Sequence, residues 1–180
     1  SIGDTCSWSR SADATYNSAS ISYTVTEVAT KYVDVSRRTY RQIVYVRYQN
    51  ADGSWGDYNA VINSDYRYGT TCSWSQGGDV CWNANSVSYT VTGEYTKYLD
   101  ISRKSYKCTV YVYNQNWDDG GYDPHLVGFA DATDYYTVRY GGTVTYAPAE
   151  STHMQAVNHS WTCTGNNVWH VEIEDRKSVV

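Results

Sequence analysis

Ser20-Ile21-Ser22-Tyr23-Thr24-Val25-Thr26 alternates hydroxylated and apolar residues without a break. A period of two places successive side chains on opposite faces of a β-strand, here with Ile21, Tyr23 and Val25 turned inward. The same stretch returns as Ser86-Val87-Ser88-Tyr89-Thr90-Val91-Thr92. Around it, Thr5-Cys6-Ser7-Trp8-Ser9 returns as Thr71-Cys72-Ser73-Trp74-Ser75, and Tyr40–Val46 returns as Tyr106–Val112. The offset is 66 residues, ungapped from Thr5 to Asn50, and about half of the paired positions are identical. A fixed period over that length marks one structural unit written twice.

The pattern predicts an all-β chain made of two tandem homologous β-sandwich units, immunoglobulin-like or similar, with extra C-terminal strands. The first unit is expected over 1–70 and the second over 71–147. Residues 148–180 then supply strands that pack on the second repeat or bridge the two. Val33 and Val35 alternate with polar neighbours, as does the run Tyr40–Tyr48. Arg37-Arg38 lies between those two runs, and Arg103-Lys104 lies between their second copies, so each basic pair is expected at a hairpin tip. Tyr66-Arg67-Tyr68-Gly69 matches Val138-Arg139-Tyr140-Gly141 at an offset of 72, which places six inserted residues between Asn116 and Arg139. Trp8 and Trp74, each two residues past a cysteine, are expected in the core.

The palette is unusual. Twenty tyrosines stand against one phenylalanine and one methionine. Tyrosine buries apolar area but brings a hydroxyl that needs a partner or water, which points to thin sheets with aromatic outer faces. The net charge of −5 comes with no basic stripe, which argues against nucleic acid as a partner. It argues equally against an anionic membrane surface. No run of eighteen apolar residues is present to insert as a membrane helix.

Five cysteines remain to be sorted. Cys81 and Cys108 align with Thr15 and Gln42, so they enter the second copy together. Joint appearance predicts a disulfide between Cys81 and Cys108. Cys6 and Cys72 are equivalent, and the pairing of Cys6, Cys72 and Cys163 stays open. There is no Cys-x-x-Cys, and His125, His153, His159 and His170 are not at ligand spacing from a cysteine, so no metal site is expected. Disulfides belong to oxidising compartments. With the sequon Asn158-His159-Ser160, they predict a secreted protein.

No motif of nucleophilic, metal or nucleotide chemistry occurs, so no catalytic residue and no cofactor is assigned. Asp34 and Asp100, near Arg37 and Arg103, read as surface ion pairs. Two glycine-containing loops combine acids with aromatics. The first offers Asp52, Trp55, Asp57 and Tyr58, and the second Trp117, Asp118, Asp119, Tyr122 and Asp123. Aromatic faces suit the C–H side of a sugar ring, and carboxylates accept its hydroxyls. The plain alternative is turn chemistry, which favours the same residue types. Asn114, Asn116, Asp118 and Asp119 before Gly120 offer oxygens for Ca²⁺, but off the EF-hand register. The sequence therefore suggests a secreted, non-enzymatic protein that binds a glycan or a cell-surface polymer. Two alternatives stand beside it. One is an inhibitor of a secreted hydrolase acting through the basic tips. The other is a structural or assembly subunit that uses its tyrosine-rich faces.

Overall fold

The structure is a computed structural model that describes residues 1–117, 124–126, 132–147 and 158–173. Over these residues the chain is all-β, its strands gathered into several small sheets. The first copy supplies β1 (Thr5–Arg10), β2 (Ala19–Thr24), β3 (Thr39–Tyr48) and β4 (Asn59–Arg67). The second supplies β5 (Thr71–Gln76), β6 (Asn85–Thr90), β7 (Tyr95–Ile101), β8 (Ser105–Trp117), β9 (Pro124–Leu126) and β10 (Ala132–Arg139). Beyond them lie β11 (Thr143–Tyr146), β12 (His159–Thr162) and β13 (Val168–Ile173).

The duplication is visible in the ladders. β1 and β2 pair antiparallel with Cys6 opposite Tyr23 and Trp8 opposite Ile21. β5 and β6 pair in the same register, Cys72 opposite Tyr89 and Trp74 opposite Val87. β3 pairs β4 from Thr39 opposite Arg67, and β8 pairs β10 with Ser105 opposite Arg139.

The third strand of each sheet comes from further along the chain. β3 lies between β4 and β7, so a strand of the second copy completes the sheet of the first. Tyr45 stacks on Tyr98 and Arg47 pairs with Asp100. Both contacts advance the same way along the chain, so β3 and β7 run parallel. β8 lies between β10 and β13, and β13 is parallel to it with His170 opposite Tyr111. Thus β13 stands to β8 as β7 stands to β3. The hairpin of β11 and β12 repeats that of β5 and β6, since Thr143 faces Thr162 as Thr71 faces Thr90. β5, β6 and β7 relate to β11, β12 and β13 by an offset of 72, whereas β3 relates to β8 by 66. Gly141 to Ile173 is therefore a third, partial copy.

The interior repeats as well. Cys108, Val110, Val112, Val144, Cys163 and Val171 form one buried cluster. Their counterparts by offset are Gln42, Val44, Val46, Cys72, Val91 and Leu99, and every one of these is buried. Gln42 is the polar exception. Its Nε2 donates to Gly93 O at 2.7 Å and to Tyr40 O at 3.3 Å, while its Oε1 is buried without a hydrogen-bond partner. The chain's contacts divide into two compact units. One comprises Ser1–Arg47, Asp57–Gln76 and Ala84–Asp100, and the other Tyr48–Gly56, Gly77–Asn83 and Ile101 onward. Each unit mixes segments of both sequence copies.

Four expectations change. Arg37-Arg38 and Arg103-Lys104 are not hairpin tips, because β7 and β8 belong to different sheets and residues 29–36, directly before Arg37, form no strand. Trp8 is not core: it is 48% exposed. Asp100 pairs with Arg47 instead of Arg103. The Cys81–Cys108 disulfide is absent, and both thiols are free. Cys108 Sγ faces Cys163 Sγ at 3.5 Å, while Cys81 Sγ accepts from Arg103 Nη1 at 2.7 Å. Their strand positions explain this. Cys108 points into the cluster of the second unit, whereas Cys81 sits only half-buried in the turn before β6.

Candidate functional site

Strand alternation builds a polar aromatic surface on the first unit. Val44 and Val46 face inward from β3, so Tyr45 and Arg47 face outward. On β7, Leu99 faces inward, so Tyr98 and Asp100 face outward. The parallel register brings these four together. The rings of Tyr45 and Tyr98 stack with centroids 5.1 Å apart and planes 14° from parallel. Tyr58, just before β4, meets Tyr98 edge-on at 5.0 Å.

Asp100 organises the polar half. It accepts from Arg47 Nε at 2.7 Å and from Arg47 Nη2 at 3.0 Å, the forked geometry of a guanidinium on a carboxylate. Tyr58 Oη donates to Asp100 Oδ1 at 2.7 Å. The Arg47 guanidinium also lies 4.8 Å from the Tyr58 ring centroid. These bonds hold the Asp100 carboxyl below its ordinary range, the Arg47 contribution being the largest and the Tyr58 hydroxyl second. The same carboxylate pushes the Tyr58 phenol up, because the hydroxyl must keep its proton to donate. The result is a fixed charged pair beside tyrosine rings, with Tyr98 57% exposed.

Of the ligand-binding residues expected from sequence that the structure describes, Tyr58 alone belongs to this surface, together with Asp100, which was expected as an ion pair. The Asp52 carboxylate closes its own loop, accepting from Ser54 N at 2.9 Å and from the Ser54 hydroxyl. Those two bonds lower its pKa, the hydroxyl first. Trp55 is half-buried and bridges to Gln49. Asp57 is exposed beside Tyr58. The loop 50–56 is packed within the second unit, where a Cβ on Gly53 would meet the Arg139 guanidinium at 2.8 Å. Gly53 also has φ +91°, which favours glycine. Trp117 ends β8 opposite Pro124. Asp118, Asp119, Tyr122 and Asp123 lie outside the described residues, as does most of the acidic stretch considered for Ca²⁺.

Sequence reasoning passed over Tyr45, Arg47, Tyr98 and the true partner of Asp100. The signal available was the aromatic residue recurring on the wet face of the long strand, Tyr45 and then Tyr111. What the sequence withheld was the neighbouring strand. At the matching place in the second unit, Tyr111 stacks on His170 at 5.3 Å.

No family model matches the chain, and no curated protein matches it in sequence. Among solved structures, the Bacillus anthracis TIE protein is similar in fold, with a TM-score of 0.51 at 10% identity. The alignment covers 96% of this chain and 42% of that one, so the chain spans less than half the length of this neighbour.

Proposed function

We propose that the chain is a non-catalytic, extracellular scaffolding segment whose β-modules complete one another by strand donation. One observation carries the reading: β7 closes the sheet of the preceding copy, and β13 does the same for the next. Donation of this kind ties each module's stability to its successor, because an edge strand left unpaired exposes a row of amides and carbonyls. The inhibitor reading is weakened by the place of Arg103. Its Nε and backbone N donate to Gln49 at 3.1 and 3.0 Å, so it does not project as a bait residue.

Fragments test the proposal. Residues 39–101 hold β3 to β7 and should unfold cooperatively in urea. Residues 1–70 lack β7 and should show no cooperative transition. A cooperative transition for 1–70 alone would end the strand-donation reading.

A second reading is favoured by the tyrosine surface. Tyr45, Tyr58 and Tyr98 offer flat rings, and Asp100 and Arg47 offer a fixed acceptor and donor, which together suit a glycan. Binding to a glycan array should fall at least tenfold in Tyr98→Ala, as stacking worth more than about 1.4 kcal/mol would require. Equal binding by parent and variant, or none by the parent, removes this reading and leaves the first intact.

A further inference from the structure

The three copies of the hairpin differ in how far their inner faces are covered, and in the first copy that face lines an open groove. In the second copy, the hairpin β5–β6 and strand β7 are accompanied by the hairpin β3–β4 of the copy before. In the third, β11–β12 and β13 share a buried cluster with β8. In the first, no such companion lies beside β1–β2 and the segment 29–35 among the described residues. Inner-face residues record the change. Val33 is 36% exposed, whereas its counterparts Leu99 and Val171 are 6% and 1% exposed. Cys6 and Val25 are half-buried, whereas Cys72, Val144, Val91 and Cys163 are buried. A groove of about 390 Å³ opens there, lined by Cys6, Trp8, Ile21, Tyr23, Lys31 and Val33.

The receiving geometry is already formed. Gly3 N donates to Val25 O at 2.8 Å and Val25 N to Asp4 O at 2.7 Å. The same two bonds recur where a preceding hairpin enters the next copy: Gly69 N donates to Val91 O and Val91 N to Thr70 O, and Gly141 N donates to Cys163 O and Cys163 N to Gly142 O. The three glycines share positive φ, at +94°, +89° and +80°. Further along, Trp82 and Arg103 together grip Gln49, with Trp82 Nε1 and Arg103 Nε each 3.1 Å from its carbonyl. Tyr16 and Arg37 hold the matching arrangement in the first copy. They are bridged like Trp82 and Arg103, and the Arg37 guanidinium lies 5.2 Å from the Tyr16 ring centroid.

We infer that this groove takes a β-hairpin of the β3–β4 kind, carried by another module of the same type. The inference rests on the strand-donation reading and names its acceptor. The occupant's chemistry follows from the two covered cases. Val44-Tyr45-Val46-Arg47-Tyr48-Gln49 and Val110-Tyr111-Val112-Tyr113-Asn114-Gln115 share the pattern Val-Tyr-Val-x-x-Gln. The valines fill the groove and the glutamine meets the arginine. On docking, residues 31–35 gain a parallel neighbour and become a strand, as their counterparts in β7 are.

The test supplies a second hairpin. A second copy of the Thr39–Tyr68 sequence is joined directly ahead of Gly3 in the full chain, replacing Ser1-Ile2. Amide hydrogen exchange at residues 31–35 should slow at least tenfold, an added protection of about 1.4 kcal/mol. The same extension carrying Val44→Asp and Val46→Asp should give no slowing. An orthogonal version places Gln42→Cys in the added hairpin and Val25→Cys in the groove, copying the geometry of Cys108 and Cys163. Oxidised glutathione should then join these two cysteines by thiol–disulfide exchange, releasing two glutathione thiols. Unchanged exchange at 31–35 together with no such cross-link overturns the proposal. So does protection of 31–35 in the parent chain that rises with its own concentration, which would make the groove a self-association face. If fragment 39–101 folds while the extended chain stays unprotected, strand donation survives and only this acceptor site falls.

Discussion

The hairpins β1–β2 and β5–β6 are near-copies with one register, yet one lines an open groove and the other is partly buried core. The segments that follow them differ more. Lys31-Tyr32-Val33-Asp34-Val35 and Lys97-Tyr98-Leu99-Asp100-Ile101 carry the same alternation, but only the second is a strand. Local propensity is almost equal in the two, so propensity did not decide. A neighbour did: β7 has β3 beside it, and among the described residues no strand lies beside 31–35. β-structure is a property of paired surfaces more than of single segments. The comparison also separates what a hairpin can do alone, which is hold its register, from what needs a partner, which is to bury its inner face.

The largest effect that sharpens this contrast concerns Cys108 and Cys163. They meet only where a covering strand crosses the turn after a hairpin, so the first copy has no equivalent pair. Treating the full chain with oxidised glutathione should join them, given their 3.5 Å approach. Closing a loop across 55 residues should raise the stability of the second unit by about 4 kcal/mol. Non-reducing peptide mapping with urea denaturation checks both parts, and a Cys81–Cys108 link instead would contradict the geometry. Next comes truncation at matched positions. Leu99→Ala should cost about 3 kcal/mol, as large-to-small changes in a core do. Val33→Ala should stay within about 0.5 kcal/mol, as an exposed substitution does. Equal losses at the two sites would mean that the first groove is covered in solution.

Much of this architecture was legible in the sequence, and what escaped did so for definite reasons. The 66-residue offset required that β5 and β6 pair as β1 and β2 do, because two facing strands shifted equally must pair alike, but the register itself came from the structure. The third copy was hidden. Only Thr143, Ser160, Thr162, Thr164, Gly165, Ile173 and a few others match their counterparts at offset 72. Its inner face keeps polarity and size class while changing identity, with Val144 for Cys72, Cys163 for Val91 and Val171 for Leu99. That is what packing demands and what identity counting misses. Once the third copy is seen, the Cys108–Cys163 contact is readable, since Cys163 takes the place of Val91 and Cys108 that of Gln42. The tyrosine surface was half legible: outward Tyr45 follows from alternation, but its neighbours come from a strand 53 residues away.

The smallest predicted effect compares Asp100 with its first-copy equivalent, Asp34. Asp100 receives two bonds from Arg47 and one from Tyr58, so its folded pKa lies below the unfolded value of about 3.9. A carboxyl depressed in this way adds stability that is fully present above the unfolded pKa. That stability is lost as pH falls through the folded value. Tyr58 works from the other end. Its pKa is raised by the bond to Asp100, so its contribution is complete below about pH 10 and fades as pH climbs through the folded value. Melting curves should therefore show Asp100→Asn less stable than the parent between those limits, with the difference shrinking at both extremes. At pH 7, Asp34→Asn should stay within about 0.5 kcal/mol of the parent, because among the described residues no β3-like strand lies beside residue 34 to supply an Arg47. A pH-dependent loss in Asp34→Asn matching that of Asp100→Asn would show that the first copy's segment already has a strand for a neighbour.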